Sequence, residues 1–288
     1  MTYEALWHRL IPLYDADEAK AIVRWVIDVR FKLSLADIIC GKVTELSAND
    51  QAELEKIMLR LEKGEPVQYV IGVADFYGRQ FHVEPGVLIP RPETALLCDQ
   101  IIASQHSEGE KILDIGTGSG CIAITLALDI PESKVTAWDI SDGALLIASD
   151  NANVLKADVH FEHRDALDSS LFTLHSSLST LHSSLSWDLI VSNPPYIEPH
   201  ERDGMAKNVL DYEPEIALFA PEASPTIFYE RIGDYAWQSL KPGGKLYFEL
   251  NPLTAERVGD YLRQFGFQQI EFHNDQFGKK RFLKATKI

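Results

Sequence analysis

The run Lys111-Ile-Leu-Asp-Ile-Gly-Thr-Gly-Ser-Gly-Cys-Ile-Ala123 constrains the fold of this chain more than any other stretch. An apolar, strand-like segment opens into three glycines at alternate positions and then into an apolar helical stretch, the pattern of a βα unit with a ligand-binding turn. From Lys111 onward, short apolar runs alternate with helical stretches, which predicts a parallel, doubly wound α/β sheet. The candidate strands are Lys111 to Ile115, Val135 to Ile140, Val159 to Glu162, Asp188 to Ser192 and Lys245 to Leu250. Gln268 to His273 and Arg281 to Ala285 flank Gly278 and predict an antiparallel hairpin at the sheet edge. In such sheets ligands sit at the carboxyl ends of the strands, so the glycine turn marks the expected site.

The segment before this sheet reads differently. Asp15 or Asp17 can cap a helix through Phe31 with Ala21, Ile22, Trp25, Val26 and Val29 on one face; Ser47 or Asn49 can cap a second with Leu54, Ile57, Met58 and Leu61 as its stripe. Gly64 and Pro66 end that helix, and Val67 to Ile89 changes to extended runs with glycine turns, including a hairpin over Phe76 to Val83. The expected organisation is a helical domain over 1–66, a β-hairpin linker over 67–89 and a larger domain over 90–288. Thr173-Leu-His-Ser-Ser-Leu-Ser179 recurs letter for letter as Thr180 to Ser186; a surface loop lengthened by duplication accounts for it, since loops tolerate insertion at little cost.

A formal net charge of −16 argues against a protein that grips phosphate backbones, because that binding rests on clustered Lys and Arg. Met1 to Tyr14 lacks the pattern of a secretory signal, and the apolar run Cys121 to Leu128 is too short to span a bilayer, so a cytoplasmic protein without a membrane role is expected. Cys40, Cys98 and Cys121 form no C-x-x-C pair, and neither a disulfide framework nor a metal site is expected.

The chemistry is concentrated in two loops. Gly116, Gly118 and Gly120 let the backbone turn tightly and approach a ligand that a Cβ would repel. Asp114, inside the same loop with Thr117 and Ser119, disfavours a pyrophosphate and suits a ligand with a cationic amino-acid moiety. Asp139, ending the second strand, is placed to accept hydrogen bonds from ribose hydroxyls. Asp165, beside Ala166 after the third strand, can reach an adenine ring. The fourth strand opens into Asn193-Pro194-Pro195-Tyr196, a tetrapeptide expected by chance in roughly one chain of this length per thousand. An amide or aromatic-amine nitrogen has a delocalised lone pair and attacks a methyl group poorly. The Asn193 side-chain oxygen and the Pro194 carbonyl can accept both N–H bonds of one NH₂ group, drawing the nitrogen toward tetrahedral geometry and aiming its lone pair at a sulfonium methyl. Pro195 stiffens the turn and Tyr196 can pack on the planar target.

With these residues, the chain resembles the HemK/PrmC family of protein-glutamine N5-methyltransferases over nearly its whole length. The resemblance extends to Val87-Leu-Ile-Pro-Arg-Pro-Glu-Thr94, Ile140-Ser-Asp-Gly-Ala-Leu145, Tyr212-Glu-Pro-Glu-Ile-Ala-Leu-Phe219 and Leu240-Lys-Pro-Gly-Gly244. It implies a class I, Rossmann-like methyltransferase that uses S-adenosylmethionine, with Arg91, Pro92 and Glu93 beside the substrate. It also implies that the substrate is the glutamine of the Gly-Gly-Gln motif in peptide-chain release factors, docked with help from the N-terminal helices. A monomer is expected, since glycine-rich loops and an exposed partner face require no second copy. Three departures stand out: Ala95 in place of a second Glu, Ala166 where an aromatic residue can stand, and Glu249-Leu-Asn-Pro in place of Glu-Ile-Gly. The competing readings are a ribosomal-protein glutamine methyltransferase and, against the charge balance, an adenine-N6 or guanine-N2 nucleic-acid methyltransferase.

Overall fold

The computed structural model describes residues 1–168 and 186–288. The duplicated segment, with His175 and His182, lies outside the described residues except for Ser186. Packing divides the chain into two units: Met1–Val73, Val83–Pro85 and Met205–Glu213 form one, and Ala74–His82, Gly86–Gly204 and Pro214–Ile288 form the other. No helix of the described residues is long and apolar enough to cross a membrane.

The first unit is helical. Asp15 caps the Ala16–Phe31 helix by accepting from the Asp17 and Glu18 amides, and Ser47 caps Ala48–Leu61 by accepting from Asp50; such caps contribute about 1 kcal/mol each. Leu54, Ile57, Met58 and Leu61 are the buried stripe of the second helix, as its spacing predicts. The first helix is turned relative to expectation, because it buries Ala19, Val23, Val26 and Ile27 while Ala21 is exposed and Ile22, Trp25 and Val29 are only partly covered. That helix is apolar around more than half its circumference, so its spacing admits either face. The core of Leu6, Leu10, Leu54, Met58 and Val70 packs on the Val23 side. Arg9 joins the helices electrostatically, donating to both oxygens of Glu55 at 2.7 and 2.9 Å and to Glu62 at 2.6 Å. Within this unit, Tyr212 of the Lys207–Tyr212 helix donates to the Lys63 carbonyl.

Val67–Ile71, expected to be extended, forms a short helix between Pro66 and Gly72, whose φ is 74°. It is followed by β1 (Val73–Phe76) and β2 (Arg79–His82), joined through Tyr77 and Gly78 with φ of 50° and 72°. Positive φ at both central residues gives the turn a twist that matches the strands it joins.

The second unit is built on a seven-stranded sheet of β3 (Lys111–Ile115), β4 (Lys134–Asp139), β5 (Val159–His163), β6 (Trp187–Ser192), β7 (Leu240–Glu249), β8 (Gln268–Asn274) and β9 (Lys280–Thr286). Its order is β5-β4-β3-β6-β7-β9-β8, parallel through β7 and then antiparallel. β7 starts five residues before the expected Lys245, because Leu240 already pairs with Trp187 across an irregularity in the register. Side chains alternate between two apolar layers. Ile112, Leu189, Val191 and Tyr247 face the helices Pro92–Ile102 and Cys121–Asp129; Leu113, Ile190, Leu246 and Phe248 face Ile227–Ser239 and Ala255–Phe265. Each fully buried aliphatic side chain there contributes about 1.5–3 kcal/mol. The strand order reverses between β3 and β6, so the loops leaving their carboxyl ends border one crevice.

Candidate active site

The register puts the two chemistry-bearing loops side by side. Ile115, the last residue of β3, is the Cα partner of Ser192, the last residue of β6. The fully buried Ser192 hydroxyl donates to the Ile115 carbonyl at 2.6 Å. Gly116 and Asn193 therefore leave the sheet as neighbours.

The glycine loop is held from below and behind. Gly116, Gly118 and Gly120 all have positive φ, at 78°, 56° and 82°. The Gly116 and Thr117 amides donate to the Trp138 carbonyl, and the Gly118 amide donates to Asp139 at 2.8 Å. Asn151, almost wholly buried, donates to the Ser119 carbonyl at 2.9 Å and brackets His82 of β2. A Cβ on Gly116 or Gly118 would meet nothing within 4 Å, so the space over both is open; one on Gly120 would lie 2.9 Å from Ile124.

Asp114 lies beneath the loop with none of its surface exposed, on the same side of β3 as Ile112. Thr117 donates to its Oδ2 at 2.7 Å, while Oδ1 has no hydrogen-bond partner. Burial pushes its carboxyl up to about 7, against the pull of the Thr117 hydroxyl. A buried, half-satisfied carboxylate facing the loop is stabilised by a nearby cation. The part-buried Asp139 accepts from the Gly118 and Ser141 amides, one on each oxygen. Each oxygen keeps a lone pair for a hydroxyl. Asp165 accepts from the Leu167 amide and is part-buried, and Ala166 packs against the apolar layer beside Trp138. This set can hold a nucleoside with a cationic amino-acid arm.

The Asn193–Tyr196 loop is anchored by residues far away in sequence. Asn193 donates through Nδ2 to Thr94 Oγ1 at 3.3 Å, and Thr94 donates to Glu249 Oε2 at 2.7 Å. Tyr196 donates to the other oxygen of Glu249 at 3.0 Å. Glu249 ends β7 on the same side as Tyr247, which aims it at the Pro92–Ile102 helix carrying Thr94. Burial raises its carboxyl above the ordinary range, opposed by the Thr94 and Tyr196 hydroxyls and by Arg281. Arg91 stands at the N-cap position of the Thr94 helix without a side-chain capping bond, Pro92 is its exposed first residue, and Glu93 is part-buried. Arg91 acts electrostatically on Tyr196 and Glu93 on Glu249, so this stretch borders the loop. Pro194 is buried and Pro195 half-buried.

The departures find physical explanations. Ala95 packs on the apolar layer that contains Leu97 rather than adding charge. Asn251, 2% exposed, donates from Nδ2 to the Tyr196 carbonyl at 3.0 Å and to Glu201 at 2.7 Å, and its Oδ1 accepts from the Leu253 amide. A glycine could make none of these side-chain bonds. Sequence reasoning marked Thr94 only as the end of a stretch beside the site and did not single out Ser192, Glu249 or Asn251 as site residues, although a charged residue at a core-facing strand position is itself a signal.

A family model described as the PrmC N-terminal domain matches residues 11–72, and one described as the methyltransferase small domain matches residues 92–212. The chain is 44% identical to a release factor glutamine methyltransferase of Bacteroides thetaiotaomicron over 96% of its own length and 95% of that protein's. The chain belongs to the release factor glutamine methyltransferase family. A second member, from Flavobacterium psychrophilum, is 34% identical with the same two coverages. In fold, the chain resembles a T. thermophilus 16S rRNA N2 methyltransferase solved with AdoMet and guanosine, with a TM-score of 0.51, 19% identity, and coverage of 75% of this chain and 50% of that one. The family's enzymes use S-adenosylmethionine. The open glycine cradle and the unpartnered oxygen of Asp114 fit that cofactor.

Proposed function

We propose that this enzyme transfers a methyl group from S-adenosylmethionine to the side-chain amide nitrogen, N5, of the glutamine in the Gly-Gly-Gln motif of peptide-chain release factors. The observation that carries the reading is the orientation of Asn193. With Nδ2 committed to Thr94, Oδ1 is the end of the amide left to accept, on a loop that leaves the sheet beside the glycine turn. Bound S-adenosylmethionine supplies an electrophilic sulfonium methyl. Asn193 Oδ1 and the Pro194 carbonyl accept the two N–H bonds of the target carboxamide, which localises its lone pair and orients the nitrogen for methylation, one of the two N–H protons passing to solvent as the methyl is gained and the sulfide product leaves. Tyr196, its hydroxyl tied to Glu249, presents its ring as a flat wall for the carboxamide plane. Asp114, Gly116, Thr117, Gly118, Ser119, Gly120, Asp139, Asp165 and Ala166 cradle the cofactor, and Arg91, Pro92 and Glu93 flank the peptide.

The two loops come from one chain, so a monomer suffices, and a substrate that works in translation places the reaction in the cytoplasm. The net charge of −16 favours a protein substrate over a nucleic acid. Labelled cofactor offered together with a release factor, ribosomal proteins and nucleic acid tests the reading. Label is expected on the release-factor glutamine; label on a ribosomal protein or on nucleic acid alone overturns it.

A further inference from the structure

We infer that Thr94 is a positioning residue that fixes which end of the Asn193 amide faces the substrate, with Glu249 setting the direction of the relay. The inference rests on the glutamine-methylating reading above. The two ends of an asparagine amide are alike in size and opposite in hydrogen-bonding sense: if Nδ2 faced the target NH₂, donor would meet donor and the nitrogen could not be held. Something must therefore choose the orientation. Both oxygens of Glu249 accept, Oε1 from Tyr196 and Oε2 from Thr94, so the Thr94 hydroxyl spends its single proton on Oε2. Thr94 Oγ1 is then left with lone pairs alone on the side facing Asn193, and only an N–H satisfies it. Nδ2 turns inward and Oδ1 outward.

The burial of the relay strengthens the choice. Thr94 is 3% exposed and Glu249 1% exposed, so water offers Thr94 little alternative partner, and an unmade bond there goes uncompensated. Tyr196 donates to the second oxygen of the same carboxyl group, and the two hydroxyls together with the Arg281 charge oppose the upward push of burial on it. One carboxylate thereby sets both the acceptor and the aromatic wall of the catalytic loop. Asn251 secures the loop's far end independently, through the Tyr196 carbonyl.

The test uses the full chain, a purified release factor with unmodified glutamine, and methyl-labelled S-adenosylmethionine. Wild-type transfer is measured first. Its absence overturns the substrate reading and this inference with it, whereas wild-type transfer with an unimpaired Thr94→Val variant overturns the Thr94 assignment alone. Thr94→Val keeps the shape and removes both the donor and the acceptor, so kcat is expected to fall on the order of 10- to 100-fold, with KM for the release factor and the cofactor Kd each within about threefold of wild type. Thr94→Ser, which restores the hydroxyl, is expected to recover kcat to within about threefold. A loss confined to cofactor binding, or a serine variant as slow as the valine one, overturns the assignment. Glu249→Gln, equal in volume but able to donate as well as accept, is the second variant, and its kcat is expected to fall about tenfold or more. A folded Glu249→Gln enzyme with wild-type kcat shows that the carboxylate does not set the relay.

Discussion

Two of the loop glycines and the third are required for different reasons, and alanine substitution separates them. At Gly118, φ is 56° and an added methyl meets nothing within 4 Å. The only structural cost of Gly118→Ala is the left-handed backbone, roughly 1–2 kcal/mol. At Gly120, φ is 82° and the methyl would sit 2.9 Å from Ile124 Cδ1, 3.1 Å from Ala148 Cβ and 3.3 Å from Ala148 Cα. Two of these neighbours belong to the backbone or to a side chain of one carbon, and neither can swing aside. Overpacking adds about 1–3 kcal/mol to the same backbone cost, giving a total of roughly 2–5 kcal/mol, a large part of a domain's stability. Urea unfolding at constant m-value measures this term, and calorimetric titration with S-adenosylmethionine measures the other. Gly118→Ala is expected to remain folded with a modest shift in midpoint and to lose about tenfold or more in cofactor affinity, about 1.4 kcal/mol, because its methyl occupies the open side of the cradle. Gly120→Ala is expected to lose far more stability. Wild-type cofactor affinity in folded Gly118→Ala, or equal destabilisation by the two substitutions, refutes the division of labour.

Asn193→Ala is expected to reduce transfer by on the order of 10²- to 10³-fold while leaving cofactor affinity nearly unchanged, as read by single-turnover kinetics beside a binding titration. Between an unfolded value near 3.8 and a folded one of about 7, Asp114 holds a proton only in the folded chain, so its contribution to stability falls as pH rises through that window, by on the order of 4 kcal/mol in all. Asp114→Asn is expected to flatten the slope of urea midpoint against pH; an unchanged slope sinks the assignment. Asn251→Gly strands the Tyr196 carbonyl and the Leu253 amide, and the expected loss is about 1–3 kcal/mol in the urea assay together with a lower kcat.

The strands were legible because each is a short apolar run closed by turn residues, and their ends moved where pairing rather than composition decides. β7 begins at Leu240, with Lys241-Pro-Gly-Gly244 still to come, because the neighbouring strand accepts it past a local irregularity. The Val67–Ile71 helix shows the opposite failure. Its valines, isoleucine and tyrosine favour extended structure. Yet Pro66 before it and Gly72 after it are helix punctuation, and Arg60 donates to the Tyr69 and Val70 carbonyls at its end. That last partner belongs to another helix and leaves no trace in the local pattern. The face of Ala16–Phe31 was lost for a related reason, since a helix apolar on adjoining faces is oriented only by what it packs against.

The site divides along the same line. Gly116 to Gly120 and Asn193 to Tyr196 are contiguous, so their chemistry can be read where it stands. Thr94 and Glu249 are 155 residues apart, and their bond exists because Glu249 falls on the Tyr247 side of β7, where alternation sends it toward the helix that begins at Pro92. The alternation was available in Tyr247-Phe-Glu-Leu250, where Phe248 and Leu250 take one layer and leave the acid facing the other. A glutamate cannot sit in an apolar layer without partners of opposite hydrogen-bonding sense. Its presence therefore demanded donors, and Thr94 and Tyr196, both inside segments the sequence had already marked, were the donors to look for. What no local reading supplies is the direction of the relay, because that depends on which donors enclose the carboxyl group, a property of the packed molecule and of no single segment.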